Sequence, residues 1–91
     1  MSNSHFFHNR SMLPLHFLQW GNPDATPVIL LHGLRAYAQT WQSLAEALGD
    51  AFCCYALDQR GRGLSDWADS RTYCTEHYVR DLEDLVEYLH L

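Results

Sequence analysis

Residues 52–67 read FCCYALDQRGRGLSDW: an apolar run from Phe52 to Leu57, then Asp58, then a loop with Gly61 and Gly63 among arginines. Successive side chains of an extended chain point to opposite faces, so this run is apolar on both. Such a strand belongs inside a sheet covered by helices on each side. Val28-Ile29-Leu30-Leu31, entered after Pro27, has the same character. Between the two, Trp41, Leu44, Ala45 and Leu48 fall at i, i+3, i+4 and i+7. This spacing predicts a helix over 38–48, with Gly49 as its left-handed C-terminal cap. Strand, helix and strand of this length form a right-handed βαβ crossover.

Outward from this unit, Leu15 to Trp20 reads as a strand. It is entered past Pro14 and ended by the turn cluster Gly21-Asn22-Pro23-Asp24. A shorter strand is indicated near Phe6-Phe7. Towards the other end, Tyr78, Val79, Leu82, Leu85, Val86 and Leu89 form one apolar helical stripe, with Arg80, Asp81, Glu83, Asp84 and Glu87 opposite. Thr75 is placed to cap this second helix and Glu76 suits its first turn. The class is α/β: a mostly parallel sheet of three or four strands and two helices, in one domain over 1–91. The Val28–Leu31 strand is left with a flat apolar edge that the sequence neither pairs nor blunts with charge.

Composition removes several functions. The 91 residues are 47% hydrophobic and 13% aromatic, against the pattern of disorder. The net charge of −5 disfavours a nucleic-acid partner. All six basic residues are arginine, which excludes a P-loop lysine and Schiff-base chemistry. MSNSHFFHNR lacks the pattern of a signal peptide, and the run Ala51–Leu57 is far too short to span a bilayer. Cys53 and Cys54 point to opposite faces of one strand and cannot readily bridge; Cys74 stands alone. Reduced packing cysteines in a cytoplasmic protein follow, with no metal site.

The glycine–arginine loop fits a phosphate poorly. A dinucleotide loop needs a third glycine where this chain has Asp66, and no helix follows directly. Two arginines beside Asp58, Asp66 and Asp69 are equally weak as an RNA site. The second loop, His32-Gly33-Leu34-Arg35, follows a strand and precedes a helix. It presents backbone N–H groups at the carboxyl edge of the sheet, where parallel sheets bind ligands. Such donors suit a developing oxyanion.

Taken in order, the apolar strand, HGLR, a helix with an early tryptophan, a second apolar strand, D-x-R-G-x-G-x-S and an acidic amphipathic helix resemble the N-terminal part of the α/β-hydrolase family. The resemblance runs over about residues 13–91 and is strongest to small bacterial esterases, lactonases and C–C hydrolases. It implies that His32, Gly33, Leu34 and Arg35 form the oxyanion loop, with the Leu34 N–H as one donor. It implies that Asp58, Arg60, Gly61, Gly63 and Ser65 form a structural loop. His32 is then structural, because the family's catalytic histidine lies far downstream. Ser65 is a turn serine, since Gly63-Leu64-Ser65-Asp66-Trp67 lacks the G-x-S-x-G pattern. Asp58 has no histidine that the sequence can assign to it, Arg35 faces either the cleft or solvent, and Trp41 belongs to the core.

The resemblance also implies a nucleophile on an elbow roughly ten residues past Leu91, with the acid and the histidine later still. The expected reading is therefore the N-terminal part of a hydrolase, cut before that elbow and inactive alone. The intact protein would cleave a small ester, lactone or related carbonyl compound through an acyl-enzyme, without cofactor or metal. Relatives that open epoxides or remove halide usually carry proline two positions after the glycine, where Arg35 stands. The rival expectation is a non-catalytic chain that associates through its open edge, with itself or with a second chain.

Overall fold

The computed structural model describes residues 2–91. Strands β1 (Asn3–His8), β2 (Pro14–Gly21), β3 (Thr26–Leu31) and β4 (Phe52–Asp58) form one sheet in the order β1-β2-β4-β3. β3 and β4 are parallel, while β2 runs antiparallel to both β1 and β4. The sheet is thus mixed and not mostly parallel. Antiparallel strands need only a tight turn, whereas a parallel pair needs a crossover long enough for a helix. Only the segment from β3 to β4 carries such a helix. The β1–β2 turn is built on Asn9, whose side-chain carbonyl accepts from the N–H groups of Ser11 and Leu13, both at 2.9 Å. β1 pairs over all six of its residues, well beyond Phe6-Phe7.

Alternation along β4 separates two cores. Cys53, Tyr55 and Leu57 pack with Phe7, Leu15, Phe17 and Leu85, while Cys54 and Ala56 pack with Leu18, Trp20, Ala38 and Ala45. The cysteines therefore face opposite layers, and all three are free. β4 is paired on both sides, but β3, equally apolar, lies at the rim and pairs only with β4 among the described residues.

The helix between them is divided. A 3₁₀ turn over Ala38–Trp41 precedes α1 (Gln42–Leu48). Gly49 closes α1 with a positive φ of 59°, which glycine adopts without strain. Of the expected stripe, Ala45 is buried but Leu44 stays 43% exposed. The second helix, α2, spans Thr75–Tyr88, and Cys74, not Thr75, occupies its N-cap. Its stripe is also shifted, because Val79 is exposed and Asp81 is fully buried.

Candidate functional site: the loops at the carboxyl ends of β3 and β4

β3 and β4 run parallel and in register, so their carboxyl ends open side by side. The exit loop of β3 is pinned to that of β4 through His32. The Gln59 N–H donates to His32 Nε2 at 3.0 Å, which leaves Nδ1 to carry the hydrogen and donate to the Gly33 carbonyl at 2.8 Å. The Gln59 side-chain amide donates back to the His32 carbonyl at 2.9 Å. Both ring nitrogens are engaged, and the ring is buried.

The Gly33 carbonyl also accepts from the Ala36 N–H at 3.2 Å, closing a turn around Leu34 and Arg35. Arg35 has φ 65°, the left-handed third position of a type II turn. A non-glycine residue there stores roughly 1–2 kcal/mol of strain. The Leu34 side chain is 85% exposed, and its N–H meets no acceptor among the described residues. Beside it lies a cavity of about 120 Å³, bounded by His32, Gly33 and Leu34 and by Gln59, Arg62 and Tyr78. Arg35 is exposed and does not line it.

Gln59, Arg62 and Tyr78 escaped the sequence reading. Gln59 was findable as the first residue past a strand end. Tyr78 reads in the sequence only as helix core, and Arg62 falls at an unspecified position of the D-x-R-G-x-G-x-S pattern.

The loop after β4 is organised by Asp58, which is buried at the strand's last position. One carboxylate oxygen accepts from the Ala38 N–H at 2.6 Å; the other accepts from the Leu64 N–H at 3.0 Å and from His16 Nδ1 at 2.7 Å. His16 is the histidine partner the sequence could not assign. It lies 42 residues away and becomes a neighbour only through the β2–β4 register. Ala38 opens the 3₁₀ turn, so the first N–H of that turn is already occupied and not offered to a ligand.

Ser65 Oγ donates to the Asp58 carbonyl at 2.5 Å and accepts from the His16 N–H at 2.8 Å. Arg60 grips Asp81 of α2 through Nε at 2.8 Å and Nη2 at 2.9 Å, and its Nη1 donates to the Thr72 carbonyl at 3.2 Å. Hydrogen bonding to Asp81 holds the Arg60 guanidinium above its ordinary pKa, against the desolvation of its site. Gly61 and Gly63 both have positive φ. A Cβ on Gly61 would run into the Tyr73 ring, and one on Gly63 into the Asp58 carboxylate.

The arrangement thus offers a free backbone donor over a small cavity, on a loop braced from beneath by buried hydrogen bonds. Among the described residues, no group of three or more His, Cys, Asp or Glu side chains is placed to hold a metal ion. No helix there is long and apolar enough to cross a membrane.

The family model described as alpha/beta hydrolase fold matches residues 26–91. Epoxide hydrolase 1 of Caenorhabditis elegans is 30% identical over 76 residues, covering 82% of this chain and 19% of that protein. N-formylmaleamate deformylase of Pseudomonas putida is 39% identical over 67 residues, covering 74% of this chain and 25% of that protein. In three dimensions, the crystal structure of an alpha/beta hydrolase from Novosphingobium aromaticivorans superposes on 99% of this chain, with a TM-score of 0.91 and 32% identity. This chain covers 32% of that one. These 91 residues therefore span about a fifth to a third of the length of the proteins they match.

Proposed function

The chain belongs to the alpha/beta hydrolase fold family, and on that premise we propose that it supplies the oxyanion-binding side of a hydrolase acting on a small ester, lactone or related carbonyl compound. The observation that carries this reading is the unclaimed N–H of Leu34, a residue that lines the cavity beside His32. As a nucleophile adds to a carbonyl, the oxygen gains charge, and a fixed N–H donor stabilises it without having to reorganise. His32 holds the loop, and Asp58, Arg60, Gly61, Gly63 and Ser65 hold what lies beneath it. The acyl-enzyme nucleophile, its base and its acid have no counterpart at matching motifs within these 91 residues. Loss of a triad nucleophile or base alone costs about a millionfold in rate, so this chain by itself sustains no turnover by the family's route. No cofactor is needed for this chemistry.

The similarity to an epoxide hydrolase supports a second reading, ring opening of an epoxide. Arg35, two positions past Gly33, weighs against it.

Two measurements test the proposal. Reading the coding sequence past the Leu91 codon is expected to show a strand and G-x-S-x-G within about twenty residues; a stop codon there, with no such continuation, removes the hydrolase reading and leaves the association reading. In the longer protein, Leu34→Pro deletes the donor at a turn position that proline favours. Hydrolysis of an activated acetate ester should then fall on the order of 10²–10³-fold in kcat, and an unchanged kcat would remove Leu34 from the site.

A further inference from the structure

A second set of chemically suited side chains lies on the α1 face of the sheet, away from the Leu34 cavity. The Ser4 hydroxyl, on the exposed face of β1, donates to His16 Nε2, and His16 Nδ1 donates to the Asp58 carboxylate at 2.7 Å. Hydroxyl, imidazole and carboxylate thus follow one another across β1, β2 and β4. The sheet register sets this line: His16 is the ladder partner of Asp58, and Ser4 pairs with Leu18, one same-face step from His16. His16 and Asp58 are each only 2% exposed, whereas Ser4 is open to solvent.

Asp58 fixes the tautomer that leaves Nε2 free to accept the hydroxyl proton. The Phe6 ring lies against the imidazole, with centroids 4.9 Å apart. A cavity of about 280 Å³ opens beside His16 and Asp58, lined also by Leu18, Tyr37, Gln39, Gly63 and Leu64, and Ser4 borders it only through His16. Nucleophilic triads are recognised by such geometry and roles and not by sequence position.

We propose that Ser4 is an activated nucleophile, a covalent acceptor of acyl or phosphonyl groups bearing a short apolar chain, with His16 as its base and Asp58 as the group that orients His16. The Ser4 oxygen attacks the carbonyl carbon of an ester and its proton passes to His16 Nε2. The bond from carbon to the leaving alkoxide breaks, and the alkoxide departs with that proton. The product is Ser4 carrying an ester, one per chain. With a fluorophosphonate, the new bond is from phosphorus to the Ser4 oxygen, fluoride leaves, and the proton stays with the imidazole. Leu18, Tyr37 and Leu64, next to His16, receive the apolar chain of the transferred group. This site owes nothing to Leu34 or to a nucleophile elbow.

The test first establishes by circular dichroism and a cooperative urea transition that the 91-residue chain is folded, then treats it with a short-chain alkyl fluorophosphonate and locates the adduct by mass spectrometry. Cleavage after Arg10 releases residues 1–10, in which fragmentation separates Ser2 from Ser4. Ser4 is expected to be labelled on the order of a hundredfold faster than Ser2, the lower end of what a positioned base supplies. The preference should vanish in urea, and Ser4→Ala should abolish the fast label while leaving the circular dichroism spectrum unchanged. Equal labelling of Ser2 and Ser4, faster labelling elsewhere in the chain, or no adduct at all overturns the proposal.

Discussion

Gly63 and Gly33 look alike in the sequence, each sitting in a loop after an apolar strand, yet their surroundings differ completely. Gly63 has φ 52° and faces the Asp58 carboxylate, so a methyl group there is both strained and blocked. Around Gly33, a methyl group would meet nothing within 4 Å. Gly63→Ala should therefore lower stability by roughly 2–5 kcal/mol, the sum of left-handed strain and the displacement of a buried acceptor. Gly33→Ala should stay within about 0.5 kcal/mol of the parent chain. Urea denaturation followed by circular dichroism measures both. A tolerated Gly63→Ala would show that the glycine–arginine loop is not the brace that the Asp58 hydrogen bonds describe.

At the scale of elements, the amphipathic pattern of α2 is informative except at Asp81. A charged side chain on a helix is normally solvated, and by periodicity Asp81 belongs with Arg80 and Asp84. It is instead buried, taking two hydrogen bonds from Arg60 and a third from the Asn9 amide at 2.9 Å. One carboxylate thereby ties α2 to the loop after β4 and to the β1–β2 turn. On the surface, Arg10 of that same turn reaches Asp84 and Glu83, and its guanidinium is held above its ordinary pKa chiefly by Asp84. Asp81→Ala leaves the Arg60 guanidinium buried without its partner and should cost about 3–5 kcal/mol. The double variant Arg60→Met, Asp81→Leu removes both charges and should cost far less. Equal losses in the two variants, again measured in urea, would mean that the pair acts through packing alone.

Over the whole molecule, the two sides of the sheet are unevenly finished. β1 and β3 are both rim strands, but β3 offers Val28, Ile29 and Leu30, half-buried, along an edge with no neighbour among the described residues. Pro27 near its start removes one donor and leaves the rest of the edge open to pairing. Trp67, Met12 and Leu64 add exposed apolar surface elsewhere. The isolated 91-residue chain should therefore self-associate, with a weight-average mass in sedimentation velocity that rises with concentration. A single monomeric boundary at all concentrations, together with one cooperative thermal transition, would show that this edge needs no partner.

The order of elements and the division of the core were readable from local pattern. The two-sided burial of Cys53 to Leu57, the helix spacing between the two apolar strands and the positive-φ glycine after α1 all rest on contacts a few residues apart, which periodicity records. Strand direction in the first half of the sheet was not readable, because a hairpin and a crossover begin with the same kind of apolar run. The links that join the loops into one site were hidden as well. Asp58 meets His16 across 42 residues and Asn9 meets Asp81 across 72. No spacing rule reaches that far: a polar side chain shows in sequence only its preference for water, and whether a distant partner replaces that water is decided by how the sheet and α2 close on each other.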